Sequence, residues 1–307
     1  MQSNNICVII VTYNGMKWLN RCLSDLMTST TSVDVVVVDN QSNDGTVDFI
    51  KKHYPNIKLF EMNRNLGFGQ ANNYGMRHAL EHNYDYVFLL NQDAYVYPDM
   101  FEKLIEGVNN ADIDNIGIAS PLQLHPNGEW LEEHFKAYIK HCISIDSRSG
   151  RVICVEGVQA AGWLIPRRTL ETIGGFNPIF FHYGEDENYF QRVNYHGLKT
   201  VVVTSAKMIH DHIDYGKREL ESKDKIFRML KSQSFLNINK TLWNIAYDCS
   251  VWTCRGVYHA MKYRNLSLFT STVSAIARNI AKLKEYNSNR ALAKRRDAQW
   301  LMKEILK

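Results

Sequence analysis

The sequence predicts an α/β fold, a mostly parallel central sheet with helices on both faces, followed by a helical C-terminal extension. Three observations predict it. The aliphatic runs at residues 6–11 and 33–38 are continuous rather than alternating, as strands buried on both faces require. Each run stops abruptly at polar or small residues, and segments with apolar residues at three- and four-residue spacing separate the runs. After about residue 217 the strand-like runs cease and the helical spacing takes over.

Taken in order, residues 6–11 (ICVIIV) form the first strand, and Thr12-Tyr13-Asn14-Gly15 ends it with turn chemistry. Trp18, Leu19, Cys22, Leu23 and Leu26 repeat at helical spacing. Residues 33–38 are the second strand. The Asp, Asn, Ser and Gly of residues 39–46 make a loop that satisfies its own backbone and caps a short helix at 47–53. A third strand is expected at 57–61, and Asn63 to Gln70 leads into a helix that runs through Leu80. Residues 86–90 are the fourth strand, Pro98 opens a helix over 99–108, and 116–121 is one more short strand.

Residues 122–157 are expected to make an antiparallel excursion over the sheet, with weak strands at 138–145 and 152–155. Pro166 starts a helix to Ile173 that Gly174-Gly175 ends, Glu185 opens a helix through Tyr195, and 199–203 is the last strand. The division expected is a catalytic domain at 1–216, with a nucleotide half to about 121 and an acceptor half from 122, and a basic helical extension at 217–307.

The bulk numbers limit what the protein can be. Hydrophobic content of 45% and charged content of 22% exclude a disordered or fibrous chain. The net charge of +4 conceals an asymmetry. Residues 217–307 carry 19 Lys and Arg against 7 Asp and Glu, whereas the first 216 residues carry 17 against 25. A basic tail on an acidic body suits phosphates. The six cysteines form no CxxC pair, which points to buried thiols in a reducing compartment rather than a disulfide or zinc framework. Met-Gln-Ser-Asn-Asn has neither the basic start nor the apolar core of a signal peptide, and no apolar run is long enough to span a bilayer. The expected location is cytoplasmic.

The chemistry gathers where the strands end. In a parallel sheet Thr12, Tyr13, Asn14, Asp39, Asn65, Gly67, Gln92 and Asp93 all fall on one edge, where ligands bind such sheets. Thr12 and Asn14 offer hydroxyl and amide groups, and Asp39 offers an acceptor for a base N–H or a ribose hydroxyl. Gly67 and Gly69 let backbone N–H groups approach an anion at a helix start. Asp93 offers oxygen to a hard divalent cation. A nucleoside diphosphate with a metal ion would use all four. A second centre is Glu185-Asp186, a carboxylate pair at a helix start that can take a proton from an attacking hydroxyl.

In these motifs the chain resembles the family 2 inverting glycosyltransferases of the GT-A (Rossmann-like) fold, within them the bacterial rhamnosyltransferase-like branch. The residues that carry the resemblance are Val8 to Asn14, Val37 to Thr46, Asn63 to Gly69, Leu89 to Ala94, and Gly174-Gly175-Phe176 through Tyr183-Gly184-Glu185-Asp186. It covers about residues 5–215. The resemblance implies that Asp39 reads the nucleoside base, that Thr12, Tyr13 and Asn14 cradle the nucleoside, and that Asp93 is the last carboxylate of an Asp-x-Asp metal motif. Asn91 stands at the first position of that motif, so one anionic ligand is missing. Mn2+ or Mg2+ is implied, with His210 completing its shell and His212 competing for that role. Asp186 becomes the catalytic base with Glu185 beside it, and Trp163 and Tyr183, with Phe181 and His182, are expected to form an acceptor platform. The implied reaction transfers a sugar from a UDP- or dTDP-linked donor to a glycan or polyprenyl-diphosphate-linked acceptor in surface polysaccharide or lipopolysaccharide assembly.

The basic tail alternates apolar positions (Ile226, Phe227, Met229, Leu230, Trp243, Tyr247, Trp252, Ile276, Ile280, Leu283) with Lys and Arg, and ends in Lys294-Arg295-Arg296 and Trp300. Such helices suit peripheral contact with an anionic membrane, or pack their stripe on the catalytic domain or on a second subunit as a homodimer. Nucleic-acid binding is not expected. Among other enzymes, a sugar nucleotidyltransferase needs a Gly-rich, Arg- and Lys-bearing loop where Thr12 to Gly15 stands. A dinucleotide enzyme needs a glycine fingerprint there, which is absent. A degenerate nucleotide-sugar-binding or scaffolding subunit is the alternative that the missing metal carboxylate favours and Asp186 opposes.

Overall fold

The computed structural model describes residues 5–140, 151–211 and 223–301. Its centre is a sheet of nine strands among the described residues, in the order β3-β2-β1-β4-β8-β6-β9-β5, with β7 beside β9. Strands β1 (Ile6–Thr12), β2 (Asp34–Asp39), β3 (Lys58–Glu61) and β4 (Tyr86–Asn91) are mutually parallel, as the continuous runs predict. Their crossovers are α1 (Met16–Met27), α2 (Thr46–His53) and α3 (Phe68–Glu81). The second half mixes directions. Strand β8 (Gly162–Pro166) runs antiparallel between β4 and β6 (Ile116–Leu124), and β6 is parallel to β9 (Lys199–His210). Strands β5 (Ala94–Val96) and β7 (Val152–Val155) pair antiparallel with β9.

Successive side chains point to opposite faces, so each inner strand feeds two cores. Ile6, Val8, Ile10, Val35 and Val37 pack with Leu19, Leu23 and Leu26 of α1 and with Phe101 and Leu104 of α4 (Met100–Asn110). Cys7, Ile9, Val36 and Val38 pack on the other face with Ala71 and Met76 of α3 and with Leu170 of α6 (Arg167–Ile173). A side chain at Gly75 would run into Ile9, so α3 can lie this close to β1 only with glycine there.

The sequence reading needs three corrections here. Residues 138–145 were expected as a weak strand, but Tyr138 lies in helix α5 (Glu133–Ile139). The Glu132 carboxylate caps this helix by accepting from the His134 and Phe135 N–H groups, and Phe135 and Ile139 bury one face at i,i+4 spacing. Residues 141–145 lie outside the described residues. Strand β9 continues past 203 to His210, across an irregularity opposite Pro121–Leu122. Strand β5, three residues long, is too short for periodicity to reveal.

The helix α7 (Glu185–Tyr195) begins and ends where expected. The extension comprises α8 (Lys223–Leu230), a π-helical turn (Lys231–Phe235), α9 (Leu242–Tyr263), α10 (Ser267–Ala281) and α11 (Leu283–Ala293). Ile226, Leu230, Phe235, Leu236, Ile245, Leu268, Ala275 and Tyr286 form its own core, which also takes in Phe180 of the body. Leu301 reaches into the body's core, and Trp300 is buried. No helix among the described residues is long and apolar enough to cross a membrane.

Candidate active site

The strand ends converge as the parallel sheet demands. Thr12 sits opposite Asp39 across β1 and β2, and Val11 opposite Asn91 across β1 and β4. Gln92 ties them together: its side-chain oxygen accepts from the Thr12 hydroxyl at 2.8 Å and from the Tyr13 N–H at 3.0 Å. Asn14 holds φ 51°, a left-handed conformation that asparagine tolerates. Its N–H donates to Ser42 and its side-chain oxygen accepts from the Asn43 N–H, so Asn14 braces the 40–46 loop. Thr12 is likewise committed to scaffolding.

Asp39 is different. It is 2% exposed; Oδ2 accepts the Ser42 N–H at 2.9 Å, while Oδ1 is buried without a hydrogen-bond partner. A buried carboxylate oxygen left unpaired is costly, and an arriving N–H or hydroxyl relieves that cost.

A cavity of about 410 Å³ opens before these strand ends. Tyr13, Asn65, Gly67, Gln92 and Asp93 of the expected set line it, joined by Asn40, Asn91, Phe181 and His182. Asn65 accepts the Gly67 N–H at 2.8 Å, and Asn40 bonds both the Gly67 carbonyl and the Leu66 N–H. Gly67 has φ 79°, and a Cβ there would collide with the Phe181 carbonyl, so only glycine serves. No side chain caps the α3 N-terminus that follows, and its first amides face an anion-favouring dipole.

Pairing of β5 with β9 sets Ala94 opposite His210, and the Asp211 N–H donates to the Asp93 carbonyl at 2.8 Å. The Asp93 Oδ1 and His210 Nε2 therefore stand 3.7 Å apart. Asn91 Nδ2 lies 3.5 Å from the same nitrogen, and Asn91 Oδ1 is buried without a partner. Carboxylate, imidazole and an unengaged amide oxygen are donors that Mn2+ accepts, so the residues fit a divalent ion. No group of three His, Cys, Asp or Glu gathers among the described residues. Part of the shell would have to come from a diphosphate and water. His212 lies outside the described residues.

The second centre sits at the start of α7. Tyr183 (φ 66°) and Gly184 (φ 95°) are successive left-handed residues that turn the chain into the helix, so Glu185, Asp186 and Glu187 occupy its first turn. The Asp186 carboxylate accepts the Glu187 N–H at 2.7 Å. Burial pushes Asp186 up, opposed by the backbone N–H groups of Glu187, Ala160 and Asp186 itself. Glu185, 5% exposed, is pushed up to about 7 by burial and by the Asp186 charge, with Lys231 opposing. Its Oε2 has no partner. Two adjacent carboxyls that burial pushes upward suit proton transfer.

The extension clamps this turn from both ends. Lys231 donates to the Ile179 carbonyl at 2.7 Å and lies over the Phe180 ring, and burial lowers its ammonium to about 8. The Ser232 hydroxyl donates to Glu187 at 2.6 Å, and Arg228 lies 5.5 Å above the Tyr183 ring. Upstream, Arg192, between the rings of Tyr189 and Trp300, donates to the carbonyls of Ile173 and Gly175. The Gly175 N–H donates to Gln299. Neither Lys231 nor Ser232 carried any sequence signal, because each acts across about fifty residues of chain. Asn40 could have been found, since it directly follows Asp39.

Trp163 was expected at the acceptor platform and is not there. It is wholly buried in β8, stacked on Phe176 (6.1 Å, 18°) and packed against Tyr189. An interior strand with neighbours on both sides leaves no face for an acceptor. Tyr183, by contrast, is exposed beside the base.

Residues 7–151 match the family described as Glycosyl transferase family 2, and residues 86–272, more than half of the chain, match Glycosyl transferase family group 2. A dTDP-rhamnosyl transferase, RfbF, of Shigella flexneri is 26% identical over 223 residues, which is 68% of this chain and 69% of that one. An N-acetylglucosaminyl-diphospho-decaprenol L-rhamnosyltransferase of Mycobacterium tuberculosis is 27% identical over 233 residues, 66% of this chain and 75% of that one. Among solved structures, a mannosyltransferase of Pyrobaculum calidifontis in complex with GDP-Man and Mn2+ superposes with a TM-score of 0.56 at 16% identity, covering 90% of this chain and 87% of that one. The fold is GT-A.

Proposed function

The chain belongs to the family 2 glycosyltransferases, with rhamnosyltransferases among its relatives, and we propose that it transfers a sugar from a UDP- or dTDP-linked donor to a hydroxyl of a glycan or lipid-linked acceptor, with inversion. The observation that carries this reading is the pocket at the strand ends beside two buried oxygens without a partner, Asp39 Oδ1 and Asn91 Oδ1. The buried Asp39 Oδ1 lies at one strand end, and the Asp93–His210 pair with Asn91 Oδ1 lies at another.

In this reading Asp39 receives the base or ribose of the donor, with Tyr13, Asn65 and Gln92 along the nucleoside and diphosphate. The uncapped amides of α3 face the diphosphate oxygens. Asp93 and His210 would hold a divalent cation, whose chemistry when bound is to neutralise charge on the departing diphosphate. The acceptor oxygen attacks the anomeric carbon while the Asp186 carboxylate takes its proton. The bond from that carbon to the diphosphate oxygen breaks, and its electron pair leaves with the nucleoside diphosphate. One displacement with one base inverts the centre. Glu185 keeps the base's surroundings dry and shares its proton equilibrium. Relatives that are rhamnosyltransferases support a role in surface polysaccharide or lipopolysaccharide assembly.

The test is a thermal-shift panel of UDP, dTDP, GDP and CMP, each with and without Mn2+, on the natural chain and on Asp93→Ala. One diphosphate should raise the midpoint only with metal, and Asp93→Ala should abolish that rise. If no nucleotide shifts the midpoint, the transferase reading fails. Asn91 in place of a carboxylate favours one second reading, a sugar-nucleotide-binding subunit without transfer. Nucleotide binding without turnover of any donor would establish that one instead.

A further inference from the structure

Helix α9 has two apolar faces. Ile245, Cys249, Trp252 and Gly256 turn toward the extension's own core and α10. The opposite face carries Trp243, Tyr247, Val251, Cys254, Tyr258 and Met261 at three- and four-residue spacing, and none of the described residues covers it. Trp243 is 86% exposed, Met261 78%, Tyr247 69% and Tyr258 61%. A continuous stripe of large apolar side chains in water marks a surface that something else covers.

Composition and charge say what. Three of the four most exposed side chains are Trp or Tyr, rings with a polar tip that suit a boundary between hydrocarbon and water better than a dry helix seam, where Leu, Ile and Val serve. Across residues 241–284 the single acid is Asp248, already paired with Lys240 at 2.6 Å. Against it Lys262 and Arg264 stand at the end of α9 that carries Met261. Lys262 lies beside the Tyr258 and Tyr263 rings, at the edge of the stripe. Helix α9 also starts just after Lys240, which shares a cleft of about 1140 Å³ with Glu187, the neighbour of Asp186. We propose that this face of α9 docks the protein on the surface of an anionic lipid bilayer, its aromatic stripe at the headgroup level and its cations against lipid phosphates. The proposal stands apart from the transfer reaction, since docking needs neither donor nor acceptor.

The test is cosedimentation of the full chain with phosphatidylcholine vesicles, with and without phosphatidylglycerol. Two variants accompany it, Trp243→Ser/Tyr247→Ser/Met261→Ser and Lys262→Glu/Arg264→Glu. Partition onto anionic vesicles at low salt should fall about tenfold or more without phosphatidylglycerol, in high salt, and in either variant. Because every altered side chain is exposed, the unfolding midpoint should hold. Absence of partition at low salt overturns the proposal, and so does equal partition by the apolar variant. Light scattering that shows a dimer lost in the apolar variant, with no vesicle binding, also overturns it and assigns the face to a second copy.

Discussion

The pocket at the strand ends and the turn that carries Asp186 lie side by side but are held in different ways. The pocket is made of strand ends, and its braces lie among those ends and their loops: Gln92 to Thr12 and Tyr13, Ser42 to Asp39, Asn65 to Gly67. Each partner belongs to the first hundred residues. The turn from Gly174 to Glu187 lies outside the strands and takes positive φ values at Gly174, Tyr183 and Gly184. Lys231, Ser232 and Gln299 of the extension hold it together with Asn73, which bonds both the N–H and the carbonyl of Phe176, and with Tyr189 and Arg192. The difference is that the pocket's own braces need nothing beyond the first hundred residues, whereas the Asp186 turn is tied to both the body and the extension.

The sharpest separation of the two regions is Asp186→Asn. Transfer should fall about 10²- to 10⁴-fold, the usual worth of a positioned base, while donor affinity measured by calorimetry stays within about twofold. Loss of donor binding as well would mean that the two regions are one. Next comes the point where they touch. Gly67→Ala would drive a side chain into the Phe181 carbonyl at a positive φ, and should cost about 2–4 kcal/mol in chemical denaturation and weaken nucleotide binding.

A smaller effect should come from the clamp alone. Ser232→Ala removes the hydroxyl from Glu187 and should lower kcat about tenfold with the donor KM unchanged. A change in KM instead would place Ser232 in the donor site. The smallest effect is one of pH. The Glu185 carboxyl rises from its ordinary 4.5 to about 7 on folding, so between those values the folded chain keeps a proton that the unfolded chain has released. Stability from this group is full below about pH 4.5 and is lost as pH rises through about 7. Glu185→Gln should flatten that slope and gain about 1 kcal/mol near pH 8, read from unfolding midpoints across pH.

Much of this was legible in the sequence. Continuous aliphatic runs can only be strands covered on both faces, so β1 to β4 and the helices between them could be read directly. The polar residues that stop those runs could be placed on one edge, because parallel strands share one direction. Hence Asp39, Gly67, Gln92 and Asp93 were named from the chain alone, and α7 was found with Asp186 in its first turn. Trp163 was misread because an aromatic near a base looks the same in sequence whether it lines a site or fills a core. Only the insertion of β8 between β4 and β6 decides that.

What the sequence by itself determined is therefore local: where strands and helices run, where each strand leaves the core, and which chemistry stands at its end. Tertiary structure alone decided which of those ends have spare hydrogen-bonding capacity, that β5–β9 pairing brings His210 to Asp93, and that Ser232 reaches Glu187. It also decided which face of α9 the described residues leave exposed. The physical reason is range. Periodicity and turn chemistry act over a few residues, whereas burial, pairing and pKa depend on neighbours brought together from distant parts of the chain.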